Sequence, residues 1–304
     1  MRIAAFLANS QTAHVMAALG AHDEMCVAES WDALETLIRR EPLSVVVFSP
    51  AADGTMDVSR ACKLIRRFSS IPFVAYVPLD ASFARGIAHM SNDGMQDLVV
   101  VRANDTPERF REVLLRVSAM PELSVLVGSL EKWLCQLPSS LTQVLIDALR
   151  QPHRYPCAET IATSAGMTVS ALYRSFRSAR LNSPKSFVVG AHVFRGYIYL
   201  KDIGFSVRDI AAKLGYTHPR IFAHQIECVF GERPSRVRRT MGMEDAVQRL
   251  VLWFSSRERA SCTHLPEGVN TMAPSAKRSA MATLLLAILP AVKAHIELFT
   301  ALIQ

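Results

Sequence analysis

Two spacings of apolar residues divide this chain. In residues 1–120, short apolar runs recur at Arg2–Leu7, Met25–Ala28, Leu43–Phe48, Ile71–Val77 and Leu98–Val101. Runs of this length, bounded by polar and turn residues, read as buried strands. The stretches between them space their apolar residues as a helix does. Ser30 stands as a cap ahead of Trp31, Leu34, Leu37 and Ile38, and Met56 to Phe68 places Val58, Ala61, Leu64 and Ile65 on one side. Asp105-Thr106-Pro107 sets a cap residue before a first-turn proline, in front of Phe110, Val113, Leu114 and Val117. Strands alternating with helices build right-handed βαβ units. The segment is therefore expected to be an α/β domain with a five-stranded parallel sheet in the order 2-1-3-4-5.

From residue 121 the spacing is helical throughout. Pro121 to Leu137, with Leu123, Leu126, Val127, Leu130, Trp133 and Leu134, predicts a linking helix within residues 121–140, and Leu141 to Leu149 predicts another before Pro152. Two similar units follow. Glu159 to Phe176 reads as a short helix, a turn at Ala165-Gly166 and a second helix capped by Thr168. About fifty residues later, Ser206 caps a helix closing at Gly215-Tyr216, and His218 to Ile226 forms its partner. Between the units, Pro184 to Lys201 reads as a long helix that fixes their relation. Each unit is a helix-turn-helix pattern, whose second helix enters the DNA major groove. Residues 141–241 are thus expected to form an all-α domain with two such units. In the extension, 242–304, Val247 to Phe254 looks helical and Ser261 to Lys277 looks like loop. Met281 to Leu302 is expected to form a helix bent at Pro290 or an irregular, partly disordered tail.

Charge sharpens the second half of this picture. The 304 residues carry 34 Lys and Arg against 27 Asp and Glu, a net charge of +7. Residues 1–120 and 121–149 are each net −2, residues 150–241 are +10 and residues 242–304 are +1. A positive field concentrated on one small domain attracts a polyanion. Other classes fall away. The six cysteines, at 26, 62, 135, 157, 228 and 262, form no C-x-x-C and offer no zinc site, and read as reduced thiols of a cytoplasmic protein. Only Ile3 to Ala8 is apolar behind Arg2, and the longest apolar run, Met281 to Val292, falls short of the ~20 residues that a bilayer needs. No membrane partner, metal or cofactor is expected.

The N-terminal segment resembles a response-regulator receiver domain, a flavodoxin-like fold. The likeness rests on the strand order, on Pro50-Ala51-Ala52-Asp53-Gly54 after the third strand and on Pro72 opening the fourth. It implies paired carboxylates for Mg²⁺ after the first strand, a phospho-accepting Asp at the end of the third and a Lys at the end of the fifth. The sequence departs at each place. The first strand ends Phe6-Leu7-Ala8-Asn9-Ser10, the acceptor position falls on Val46 or Ser49, and the Lys is matched at best by Arg102. A pseudo-receiver without a phosphorylation site is expected, serving dimerisation or sensing. His89, Asp53 and Asp57 stand near the strand C-terminal edge, either lining a site or as ordinary surface residues.

Residues of about 141–241 resemble the AraC/XylS-type DNA-binding domain. The match is carried by Ile161-Ala162 with Gly166-Met167-Thr168, by Leu172-Tyr173-Arg174-Ser175-Phe176 and by Ser183-Pro184 with Phe187. In the second half it is carried by Ser206-Val207, Ile210-Ala211, Gly215-Tyr216, Phe222, Phe230-Gly231, Pro234 and Arg238. The resemblance implies seven helices and a role in transcription regulation. It places Ser170 and Arg174 at base edges in the first reading helix, and Arg220 and His224 in the second. Val169, Tyr173 and Arg177 flank the first face toward sugar and phosphate, and the helix N-termini at Thr168 and Ser206 present amides to phosphates. The two probes would enter successive major-groove segments about 34 Å apart.

Four departures touch the second unit. The usual Arg-x-Phe-Lys becomes His224-Gln225-Ile226-Glu227, the linking-helix Arg becomes His192, a glycine stands at Gly196, and Pro219 enters the first turn. Glu227 is expected to repel DNA, so the first unit should dominate affinity. The expected function is a non-enzymatic, sequence-specific regulator binding double-stranded DNA. A homodimer through the N-terminal domain is expected, with RNA polymerase a further candidate partner. The rival reading is a signalling adaptor with a degenerate DNA-binding half.

Overall fold

The computed structural model describes residues 1–77, 81–100 and 106–255, with the backbone alone at 81–84. Arg102 and the expected elements beyond Ser255 lie outside the described residues. Five strands, β1 (Arg2–Phe6), β2 (Glu24–Val27), β3 (Val45–Phe48), β4 (Phe73–Val77) and β5 (Asp97–Val100), form one parallel sheet in the order β2-β1-β3-β4-β5. Ala4 is registered against Cys26 on one side and Val46 on the other. Successive side chains alternate between the faces. Ile3, Ala5, Val45, Val47, Val74 and Tyr76 pack with α1 (Asn9–Ala18) and α5 (Pro107–Val117), whereas Ala4, Phe6, Val46, Phe48 and Phe73 pack with α2 (Trp31–Arg40) and α3 (Val58–Arg67). Both faces are covered, which is why these strands carry continuous apolar runs rather than alternating ones. Helix α4 (Ala81–Asn92) precedes β5.

The remaining described chain is helical. Helix α6 (Pro121–Leu134) buries Leu123, Leu126, Leu130 and Leu134. After α7 (Ser139–Arg150) and a 3-10 turn at Pro152–Arg154 come α8 (Ala158–Ser164), α9 (Val169–Ser178) and α10 (Pro184–Lys201). Then follow α11 (Val207–Lys213), α12 (Pro219–Phe230), α13 (Pro234–Thr240) and α14 (Met243–Ser255). Helix α10 is the axle of this layer, with every residue between Ser186 and Leu200 buried. Its glycine has a packing reason. A Cβ on Gly196 would lie 2.4 Å from Cε2 of Phe222, so only glycine lets α12 close onto α10. At the other end, Trp253 Nε1 of α14 donates to the Ser186 carbonyl at 2.7 Å, and the Asn182 amides bind the carbonyls of Trp253 and Phe254.

Among the described residues no single helix is long and apolar enough to cross a membrane, and no group of three His, Cys, Asp or Glu could hold a metal. Cys26, Cys62, Cys135 and Cys157 are free thiols.

Candidate nucleic-acid interface

Each helix-turn-helix unit is made by the same local chemistry. The first helices, α8 and α11, end at Gly166 and Gly215, whose φ values of +68° and +80° turn the chain where a side chain would be strained. The second helix of the first unit starts on Thr168, whose Oγ1 accepts from the Ala171 amide at 3.2 Å. Leu172 and Phe176 point inward and are buried, which turns the opposite side of α9 outward.

That outer face carries the residues expected of it. Ser170, Tyr173, Arg174 and Arg177 are exposed, and Val169 is half-buried against the core. Arg174 and Arg177 make no ion pair within the described residues. An exposed guanidinium free of carboxylates keeps its full fork of donors for a base edge or phosphate. In the second unit Arg220 and His224 are exposed on α12, and Arg220 is likewise without an ion pair within the described residues. His224 Nε2 lies 3.5 Å from the Cys228 sulfur one turn on. Pro219 occupies the first turn of α12, where its missing amide proton is no loss.

The departures resolve into distinct roles. Gln225 faces inward, fully buried, and its Oε1 accepts from the Tyr216 hydroxyl. Glu227 remains exposed, but Arg233 Nε stands 3.6 Å from its carboxylate, so the acid carries its own counter-charge. His192 is buried in α10, its Nδ1 2.9 Å from the Val188 carbonyl and its ring edge-on to Tyr216. Burial pushes it down to about 4, so it is neutral. Ser206 caps α11 in a reciprocal pair: its Oγ accepts from the Asp209 amide at 3.1 Å, while its own amide donates to the Asp209 carboxylate at 2.9 Å.

On the sheet domain, two of the three residues named near the strand C-terminal edge have structural tasks. Asp53 Oδ1 accepts from the amide and hydroxyl of Thr55, and Asp57 Oδ1 caps α3 through the Arg60 amide at 2.8 Å. His89 is exposed on α4. Val46 lies wholly buried within β3, and Ser49 is buried just beyond its end.

Sequence reasoning did not find Arg39, Asp202, Asp209 and Lys213. These four join the sheet domain to the loop before α11 and to α11 itself. Their spacing carries no signal, because a cation in a helix's last turn normally reads as a solvated end.

One stretch of the chain matches a known type of domain. Residues 161–240 match the family model described as a helix-turn-helix domain. The span runs from within α8 to the end of α13 and takes in both units. A helix-turn-helix domain is a DNA-binding element of transcription regulators. No curated protein matches the chain. A solved structure of full-length FixJ from B. japonicum is similar at 14% identity with a TM-score of 0.34, covering 70% of this chain and 95% of that one. A superposition that loose carries no argument about either domain.

Proposed function

We propose that the chain is a sequence-specific transcription regulator of the AraC/XylS type that reads two successive major-groove segments, one with α9 and one with α12. The observation that carries this reading is the pair of exposed guanidiniums, Arg174 and Arg220, each free of an ion pair within the described residues on the second helix of its unit. Ser170 and His224 complete the two base-reading faces. Tyr173, Arg177 and Val169 flank the first, and the helix starts at Thr168 and Ser206 meet the backbone. The sheet domain is a receiver-like fold that is not phosphorylated and serves dimerisation or sensing. The protein is not an enzyme, needs no cofactor and works in the cytoplasm on double-stranded DNA, with RNA polymerase as a further partner.

Selection of bound duplexes from a random pool tests this. The full chain should enrich one motif with two separated conserved segments. Arg174→Ala should cost about 1–3 kcal/mol and relax preference at one base position. Enrichment of no motif would favour the adaptor reading, and incorporation of label from acetyl phosphate would overturn the non-phosphorylated one.

A further inference from the structure

The contact between the sheet domain and the second helix-turn-helix unit is built residue by residue. Asp202 ends α10, is 1% exposed, and turns its carboxylate away from the helical layer onto the corner between α3 and β4. There it accepts from the Ser70 amide at 2.9 Å, the Ser70 hydroxyl at 2.5 Å and the Ser69 hydroxyl at 3.0 Å. Two residues on, the Gly204 amide donates to the Arg67 carbonyl at 2.9 Å and the Gly204 carbonyl accepts from Arg39 Nη1 at 2.6 Å. Phe205 packs against Phe68 with the rings tilted and their centres 4.8 Å apart. Only Ile203 of this four-residue loop points to solvent.

Helix α11 is then gripped at both ends. In its first turn Asp209 pairs with Arg39 at 3.1 Å. In its last turn Lys213, 2% exposed, reaches across to α2 and donates to the carbonyls of Ile38, at 2.6 Å, and Glu41. These are carbonyls at the C-terminal end of α2, where a helix presents unsatisfied acceptors and partial negative charge. The turn that follows α11 seats α12, through Tyr216 against Phe222 at 5.6 Å and the Tyr216–Gln225 hydrogen bond. A detached sensor on a linker would need none of this. The two layers share one continuous apolar core and one compact unit.

We infer that the sheet domain is a working part of the second reading unit: α2 and the α3–β4 corner clamp the 202–205 loop and α11, and so set the pose in which α12 meets DNA. The inference rests on the DNA-reading function proposed above. It explains how a unit whose reading helix carries an acid, Glu227, still holds a defined pose. It also makes α2 and the α3–β4 corner the surface through which any event on the sheet domain reaches DNA.

Gly204→Ala tests the clamp without touching either reading face. A Cβ there would lie 2.4 Å from Phe68 Cε1 and 2.6 Å from the Arg67 carbonyl oxygen, so the loop must leave its seat. Arg39→Ala, which removes only side-chain bonds, is the gentler second variant. The full-length protein and both variants would be compared by hydrogen exchange over residues 206–230 and by footprinting on the selected duplex. The clamp predicts faster exchange in α11 and α12. It also predicts loss of protection over the segment read by the second unit, with the first segment kept, and affinity lower by about tenfold. Unchanged exchange and footprint would overturn it, and so would a tighter complex, which would make the contact a brake. A wild-type chain that selects no sequence would sink the DNA-reading function instead, and the exchange measurement would still decide the clamp.

Discussion

Single residues decide how closely the helices of the second unit approach, and Gly196 is the clearest case. In isolation a glycine at that point of α10 weakens the helix by about 1 kcal/mol relative to alanine. The site reverses the sign, because the missing Cβ is where the fully buried Phe222 ring sits. Gly196→Ala should therefore destabilise the protein by about 1–3 kcal/mol, the usual cost of overpacking. A lowered urea midpoint with an unchanged slope would report it; a stabilised variant would mean that Phe222 has room to move. The sequence showed the glycine but not its neighbour, since Phe222 lies 26 residues away across a turn. Glu227 is a similar case. Its charge was legible, whereas the Arg233 beside it depends on how Gly231 ends α12.

At the scale of elements, the strands and amphipathic helices were legible because burial imposes a period on them. Each predicted strand lies within two residues of its observed counterpart at either end. Helix α1 gave no such signal, since only Val15 and Ala18 of its ten residues are buried. Helix α10, read from the sequence as Pro184 to Lys201 and observed with the same bounds, is buried all round. That burial has a consequence for pH. His192 is held down to about 4 in the fold but returns to the ordinary histidine range near 6.5 when unfolded. Between those values the unfolded chain binds a proton that the folded chain does not, so stability falls as pH drops through that window. His192 alone should contribute a loss of about 2 kcal/mol by pH 5. His153, pushed down to about 3 by burial and by Arg154 beside it, adds a loss of the same sign. Urea unfolding of the wild type and His192→Leu at pH 7 and pH 5 checks this. The variant should show a shallower decline, and parallel declines would remove His192 from the account.

For the whole molecule, the uneven charge is the property that composition revealed and the fold then gave a direction. The cationic excess belongs to residues 150–241, while residues 1–120 are net negative. The negative layer stands against the second unit through Arg39–Asp209 and Lys213, with Arg174 and Arg177 exposed on the first unit. What the sequence left unread was this docking, because contacts between Asp202 and Ser70, or Lys213 and Ile38, span more than a hundred residues and follow no period. Attraction to phosphate should come from the helical layer and be released with counterions, so binding should weaken steeply as salt rises. Arg177, which the proposed function sets against the backbone rather than base edges, separates this from sequence reading. Arg177→Ala should weaken binding to matched and scrambled duplexes alike and lower the slope of log affinity against log salt by about one. Titrations by fluorescence anisotropy across a salt series measure both quantities. A weakening confined to the matched duplex would move Arg177 to the base-reading set, and a slope near zero for the wild type would remove phosphate attraction from the mechanism altogether.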